Sequence, residues 1–193
     1  MSLTILTYPA KVLSKPTRRI KPRDGIDLHE LREQMLVALR EYVGVGLAAP
    51  QVGMSIRFIL AEDTRTGEVR DFVNPQILQM SQECDVGAEG CLSFPGLVGD
   101  VVRAKGIRLR YQDKDFNDHE EEFTGFYARV LQHEIDHLNG ILLIDRAEDG
   151  LREAVPEDEE EDAGDDDLEH TKAEAMADPR KGEVAAPEEK AGS

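Results

Sequence analysis

Residues 132–140 read QHEIDHLNG, and this stretch constrains the chain more than any other. It places His133, Glu134 and His137 within five positions. The apolar spacing predicts a helix over 125–138, stopped by Asn139 and Gly140. Four residues along a helix turn the chain by about 400°, so both imidazoles share a face about 6 Å apart and can meet one cation. Glu134 falls at the rim of that face, where it suits a water molecule better than a metal. This is the H-E-x-x-H arrangement. Phe126, Val130, His133 and His137 run down one side, so the ligand face continues into an apolar one and the helix should be partly buried. Asp136 points elsewhere and is either an acceptor for an imidazole N–H or a surface carboxylate.

Two imidazoles do not complete a catalytic site, which needs three protein ligands and an open position. A metzincin would continue to a third histidine, but that position is Leu143, so the class is excluded. A downstream glutamate on another helix is also missing, because ILLID and an acidic segment follow. The third ligand must therefore come from upstream. Cys84, Cys91, His29 and His119 are the candidates. His29 falls on the solvent side of a helix and His119 in a charged hairpin. Cys91, in EGCLSFPG, is favoured over Cys84 because a glycine beside a ligand lets the backbone approach a metal.

The remaining pattern is α+β. Residues 1–25 suggest an extended arm. Leu28, Leu31, Met35, Leu39 and Tyr42 recur at helical spacing, which predicts a helix over about 27–43 capped by Asp27 and stopped at Gly44. GVGLAAPQVG reads as a loop turning into a strand, RFILAE as a strand, and EVRDFVNPQIL as a strand ended by Asn74–Pro75. Ile107, Leu109 and Tyr111 alternate with arginines, the mark of a half-buried strand, and DKDFND forms its hairpin turn. ILLID reads as a final short strand. Short antiparallel strands thus frame a central helix that carries the histidines, with a second helix near the N-terminus.

Charge divides the chain. Residues 148–193 carry 18 acidic and 5 basic side chains, so most of the net charge of −17 belongs to them. This tail has too few large apolar residues to offset chain entropy and is expected to be disordered, leaving residues 1–147 as the folded domain. Its acidity opposes binding to DNA or other polyanions. No apolar run reaches transmembrane length and the start lacks the regions of a signal peptide, so a cytoplasmic protein without membrane association is expected. In a reducing compartment the two cysteines should remain unpaired.

GVGLAAPQ, EGCLS and QHEIDH, in this order, resemble the three signature motifs of the peptide deformylases, and LNGILLIDR continues the likeness. The resemblance covers about residues 4–147. It implies that Cys91, His133 and His137 bind one divalent metal, with Fe2+ favoured and Zn2+, Ni2+ or Co2+ able to replace it. It implies that Glu134 is the catalytic carboxylate, and that the Gln51 side-chain amide and the Leu92 backbone N–H stabilise the oxyanion. Gly46 would bind the peptide in the cleft, and Val45, Phe126 and Val130 are expected walls for a methionine side chain. The implied substrate is the formylmethionyl end of a nascent polypeptide. The alternatives are a small metallo-endopeptidase and a non-catalytic metal-binding protein. In some relatives a C-terminal helix docks to the ribosome through basic residues. The acidic tail here opposes such contact with RNA phosphates.

Overall fold

The computed structural model describes residues 3–154. Helix α1 (Leu28–Glu41) begins where the sequence indicates, with the Asp27 carboxylate accepting a hydrogen bond from the Glu30 N–H at 2.9 Å. It ends two residues short of the expected stop. Val43 turns the chain with φ of 54°, and the Gly44 N–H closes onto the Leu39 carbonyl at 2.9 Å. Strands β1 (Gly46–Ala48), β2 (Phe58–Asp63), β3 (Glu68–Met80), β4 (Cys84–Gly90), β5 (Leu97–Ala104), β6 (Gly106–Gln112) and β7 (Asp118–Thr124) follow. Then come α2 (Gly125–Leu138), α3 (Leu143–Arg146) and β8 (Arg152–Glu153).

The strands form two antiparallel sheets, one ordered β1-β2-β3-β6-β7 and the other β4-β5-β8. Alternation along β2 explains how the larger sheet carries a helix on each face. Phe58 and Leu60 join Leu47 and Val73 beneath Met35, Ala38 and Leu39 of α1. Ile59 and Ala61 join Phe72, Leu109 and Phe123 against Ala128, Leu131, Ile135 and Leu138 of α2. The metal helix is therefore held by its apolar side on a rigid sheet, each buried leucine or isoleucine contributing about 1.5–3 kcal/mol. A third cluster of Leu13, Phe94, Val101, Leu142 and Leu143 fastens the N-terminal arm to the smaller sheet.

Two expected boundaries are corrected. Asn74–Pro75 does not end β3, because the strand bulges there and continues to Met80. Asn74 adopts φ of 53°, which asparagine tolerates, and its side chain exchanges two 2.8 Å hydrogen bonds with the Ile20 backbone. A proline lacking its N–H is accommodated at such a bulge. The ILLID segment contains a helical turn instead of a strand. Asp145 accepts from the Leu142 N–H at 2.8 Å, while Leu142 and Leu143 bury into the third cluster.

GVGLAAPQVG becomes β1 followed by a 3-10 turn over Ala49–Val52. Strand β8 pairs with Leu97 and Val98 of β5, so the smaller sheet uses residues beyond 147, where the sequence reading starts the tail. The expected disorder of the tail concerns mainly residues 155–193, which lie outside the described residues.

Candidate metal centre and its cleft

Three side chains converge at the base of one cleft. The ligand atoms of Cys91, His133 and His137 all lie within 4.8 Å of one another, and Cys91 Sγ is 3.2 Å from His137 Nε2. Helix α2 supplies the two imidazoles one turn apart. Cys91 follows the last residue of β4, where the Phe94 N–H bonding to the Cys91 carbonyl at 2.8 Å folds the chain into a turn. A thiolate and two imidazoles on one point suit a borderline or softer divalent cation. Cys84, at the other end of β4, is exposed. His29 and His119 pair instead with Asp115 and Asp113.

One of the two imidazoles, His133, is oriented from outside, whereas the buried His137 Nδ1 has no hydrogen-bond partner. His133 Nδ1 lies 2.9 Å from Glu89 Oε2, which leaves Nε2 for a metal. Glu89 is held in turn by Arg103 through Nε and Nη2, both at 3.0 Å, and by Arg129 Nη1 at 2.9 Å. Burial alone would push the Glu89 carboxyl up, but hydrogen bonds from His133 and Arg103 outweigh it and hold it at about 2. Burial alone would push His133 down, yet its contacts with Cys91 and Glu89 hold it at about 10. His137 is driven well below its ordinary value, chiefly by burial, and stays neutral. A neutral imidazole is the form that ligates a metal.

Asp136 neither meets an imidazole nor lies at the surface, which corrects both sequence readings. It faces the opposite side of α2 and pairs with Arg103 and Arg146. The carboxylate on the imidazole is Glu89, two residues before Cys91. A sequence signal for it existed, because residues two apart on a strand share a face. Ser93 was missed. It is buried, accepts a hydrogen bond from Gln51 Nε2 at 3.2 Å and donates to the Leu6 carbonyl at 2.8 Å.

Gln51 and Glu134 complete the base of the cleft. The Gln51 Oε1 accepts from the Ala48 N–H at 2.8 Å, so its amide nitrogen must point the other way, 3.7 Å from Cys91 Sγ. Glu134 is buried and its Oε2 has no hydrogen-bond partner. Burial pushes its carboxyl up to about 7, the range in which a carboxylate can both take and return a proton. The cleft is about 710 Å³ and is lined by Val45, Gly46, Gln51, Cys91, Leu92, Phe126, Val130, His133 and Glu134, among others. The structure thus brings every expected site residue to one cleft except His137, which lies beneath its floor as the most buried of the three ligands.

A thiolate, two imidazoles, an unpartnered carboxylate and a side-chain amide define a class, the mononuclear metal-dependent hydrolases. Residues 2–153 match the family described as polypeptide deformylase. The peptide deformylase of Chlorobium luteolum is 41% identical over 163 residues, covering 82% of this chain and 85% of that protein. That of Thermotoga neapolitana is 44% identical over 149 residues, covering 75% and 90%.

Among solved structures, the peptide deformylase of Thermotoga maritima superposes with a TM-score of 0.72 at 40% identity, over 76% of this chain and 97% of that one. The Met-Ala-Ser-bound class I type b enzyme of Acinetobacter baumannii superposes at 0.70 with 35% identity, over 76% and 98%. The chain belongs to the peptide deformylase family. It is an enzyme that removes the formyl group from the N-terminal methionine of newly made polypeptides.

Proposed function

We propose that deformylation runs at the Cys91–His133–His137 site, with Fe2+ as the resident metal and Zn2+, Ni2+ or Co2+ as working substitutes. The observation that carries this reading is the convergence of three ligand atoms within 4.8 Å beside Glu134 and Gln51. The donor set fits a divalent cation, which when bound acidifies water and polarises a carbonyl. Glu134 accepts the proton of the attacking water and returns it to the amine that leaves with the peptide, and formate is the other product. Its lack of any competing hydrogen bond at Oε2 leaves it free to do so.

Gln51, aimed by Ala48, donates its amide N–H to the oxygen that gains negative charge, together with the backbone N–H of Leu92. One such donor is worth about 3 kcal/mol in the transition state. The methionine side chain lies against Val45, Phe126 and Val130, and Gly46 leaves its backbone open to the peptide. The Met-Ala-Ser ligand of the Acinetobacter baumannii enzyme supports a methionyl peptide as occupant of the corresponding cleft.

Nascent chains place the enzyme in the cytoplasm. The described residues 3–154, with β8 closing the smaller sheet, carry the chemistry in this reading, and the acidity of the tail opposes tail-mediated docking to the ribosome. Formate release from a formyl-Met peptide, compared with its acetyl-Met analogue, tests the activity on protein purified without oxygen and analysed for metal. Formate from the first only, with one equivalent of metal, is the expected result. Release of neither product at any divalent metal overturns the reading.

A further inference from the structure

Arg129 has no part in the chemistry above, yet it lines the same cleft and is hydrogen-bonded to its β4 wall. It is buried on α2, one turn before His133. Its Nη1 donates to Glu89 Oε1 at 2.9 Å, to the Val101 carbonyl at 2.9 Å and to the Gly87 carbonyl at 3.4 Å. Its Nη2 donates to Asp85 Oδ1 at 2.6 Å and to the Asp85 carbonyl at 3.1 Å. The guanidinium lies over Gly87, where a Cβ would stand 3.0 Å from Arg129 Cζ. Glycine at this place on β4 is therefore what lets the planar group reach the strand backbone.

Strand β4 has particular need of such support. It is at the edge of the smaller sheet, paired only with β5 among the described residues, and its Ala88 and Gly90 line the cleft. An edge strand held on one side is the part of a sheet most ready to shift. The same strand delivers Glu89 to His133 and leads into Cys91. Arg129 joins that strand to the helix that carries both histidines.

We infer that Arg129 is a positioning residue that ties the β4 wall of the substrate cleft to the metal centre. Its inner contact with Glu89 sets the orientation of His133, and its outer contacts with Asp85 and Gly87 set the position of the wall. Arginine is required because only a planar fork reaches carboxylate and carbonyls at once; a lysine ammonium is a point donor. The inference rests on the metal-site reading above, and release of metal gives it a readout separate from turnover.

The test uses full-length metal-loaded enzyme and compares wild type with Arg129→Met, Arg129→Lys and Asp85→Asn. Metal release to a chelator and the split of kcat and KM on a formyl-Met tripeptide are measured for each. Arg129→Met should release metal about 10-fold faster or more, the usual scale for losing support behind a ligand, and should raise KM. Arg129→Lys should recover metal retention through Glu89 while KM stays raised. Asp85→Asn, changed only at the exposed outer end, should raise KM and leave metal release unchanged.

Wild-type metal release and KM in Arg129→Met would overturn the inference, and so would faster metal release in Asp85→Asn. If Arg129→Met does not fold, the other two variants decide. Absence of formate from wild type would count against the deformylase assignment at this site alone, since the release rates still report on Arg129.

Discussion

Gly46 leaves room that Glu134 fills: a Cβ built on Gly46 would stand 2.3 Å from Glu134 Oε1 and 2.9 Å from its Cγ. Strand β1 and helix α2 therefore meet without a side chain between them, and the carboxylate is wedged in place by backbone. Gly46→Ala should displace Glu134 while leaving the three ligands alone. The expected outcome is a fall in kcat of about 100-fold, the scale of losing a well-placed proton-transfer group, with metal content unchanged. Metal analysis beside steady-state kinetics checks it, and a fully active variant would refute it.

Glu134 also makes the metal-free protein pH-sensitive. Its folded value of about 7 lies above the ordinary 4.5, chiefly because of burial. The folded state then binds its proton more tightly than the unfolded chain, so stability is full below 4.5 and falls as pH rises to 7. Metal-free Glu134→Gln should therefore be more stable than metal-free wild type at pH 8, by about 3.5 kcal/mol on the scale of 1.4 kcal/mol per pKa unit. The gap should close near pH 4. Urea unfolding at the two pH values measures it, and equal stability at pH 8 would contradict it.

Glu89 has the opposite sign. Hydrogen bonds from His133 and Arg103 overcome burial and hold its carboxyl at about 2, below the ordinary 4.5. Its contribution is present above 4.5 and is lost as pH falls through 2. Glu89→Gln leaves Arg103 and Arg129 facing a neutral amide, which should cost about 3–5 kcal/mol. It should weaken metal binding by about 10–100-fold, read by chelator competition. It should also reduce the loss of stability between pH 4.5 and 2 by the Glu89 share, leaving that of other depressed carboxyls such as Asp113. Unchanged metal affinity would show that His133 needs no such partner.

Gln51→Glu keeps an oxygen for the Ala48 N–H and replaces the inward-pointing donor with a second oxygen. Loss of that donor should lower kcat by about 100- to 1,000-fold with little change in KM. Parallel loss of kcat and metal would instead assign Gln51 a role in holding Cys91, from which its nitrogen is 3.7 Å away.

Local patterns carried much of the architecture. Asp27 with Glu30 marked the start of α1, the period of two along Ile107, Leu109 and Tyr111 marked β6, and the apolar spacing before His133 marked α2 over the same residues that form it. The paired imidazoles on one face were legible for the same reason, because four residues of helix bring them together whatever surrounds them.

Other features depended on chain segments distant in sequence. β3 runs through Asn74–Pro75 because Ile20, 54 residues away, takes up the Asn74 side chain. Leu143–Arg146 is helical because Leu142 and Leu143 bury against Leu13 and Phe94. The flanking glycine and the resemblance of EGCLS already favour Cys91 over Cys84, but Asp136 and Glu89 are chemically equal as acceptors for an imidazole. Residue type and spacing along the chain do not choose between equals. The choice was made by where β4 comes to rest against α2, and that placement follows from burial of apolar clusters and of the arginines between them.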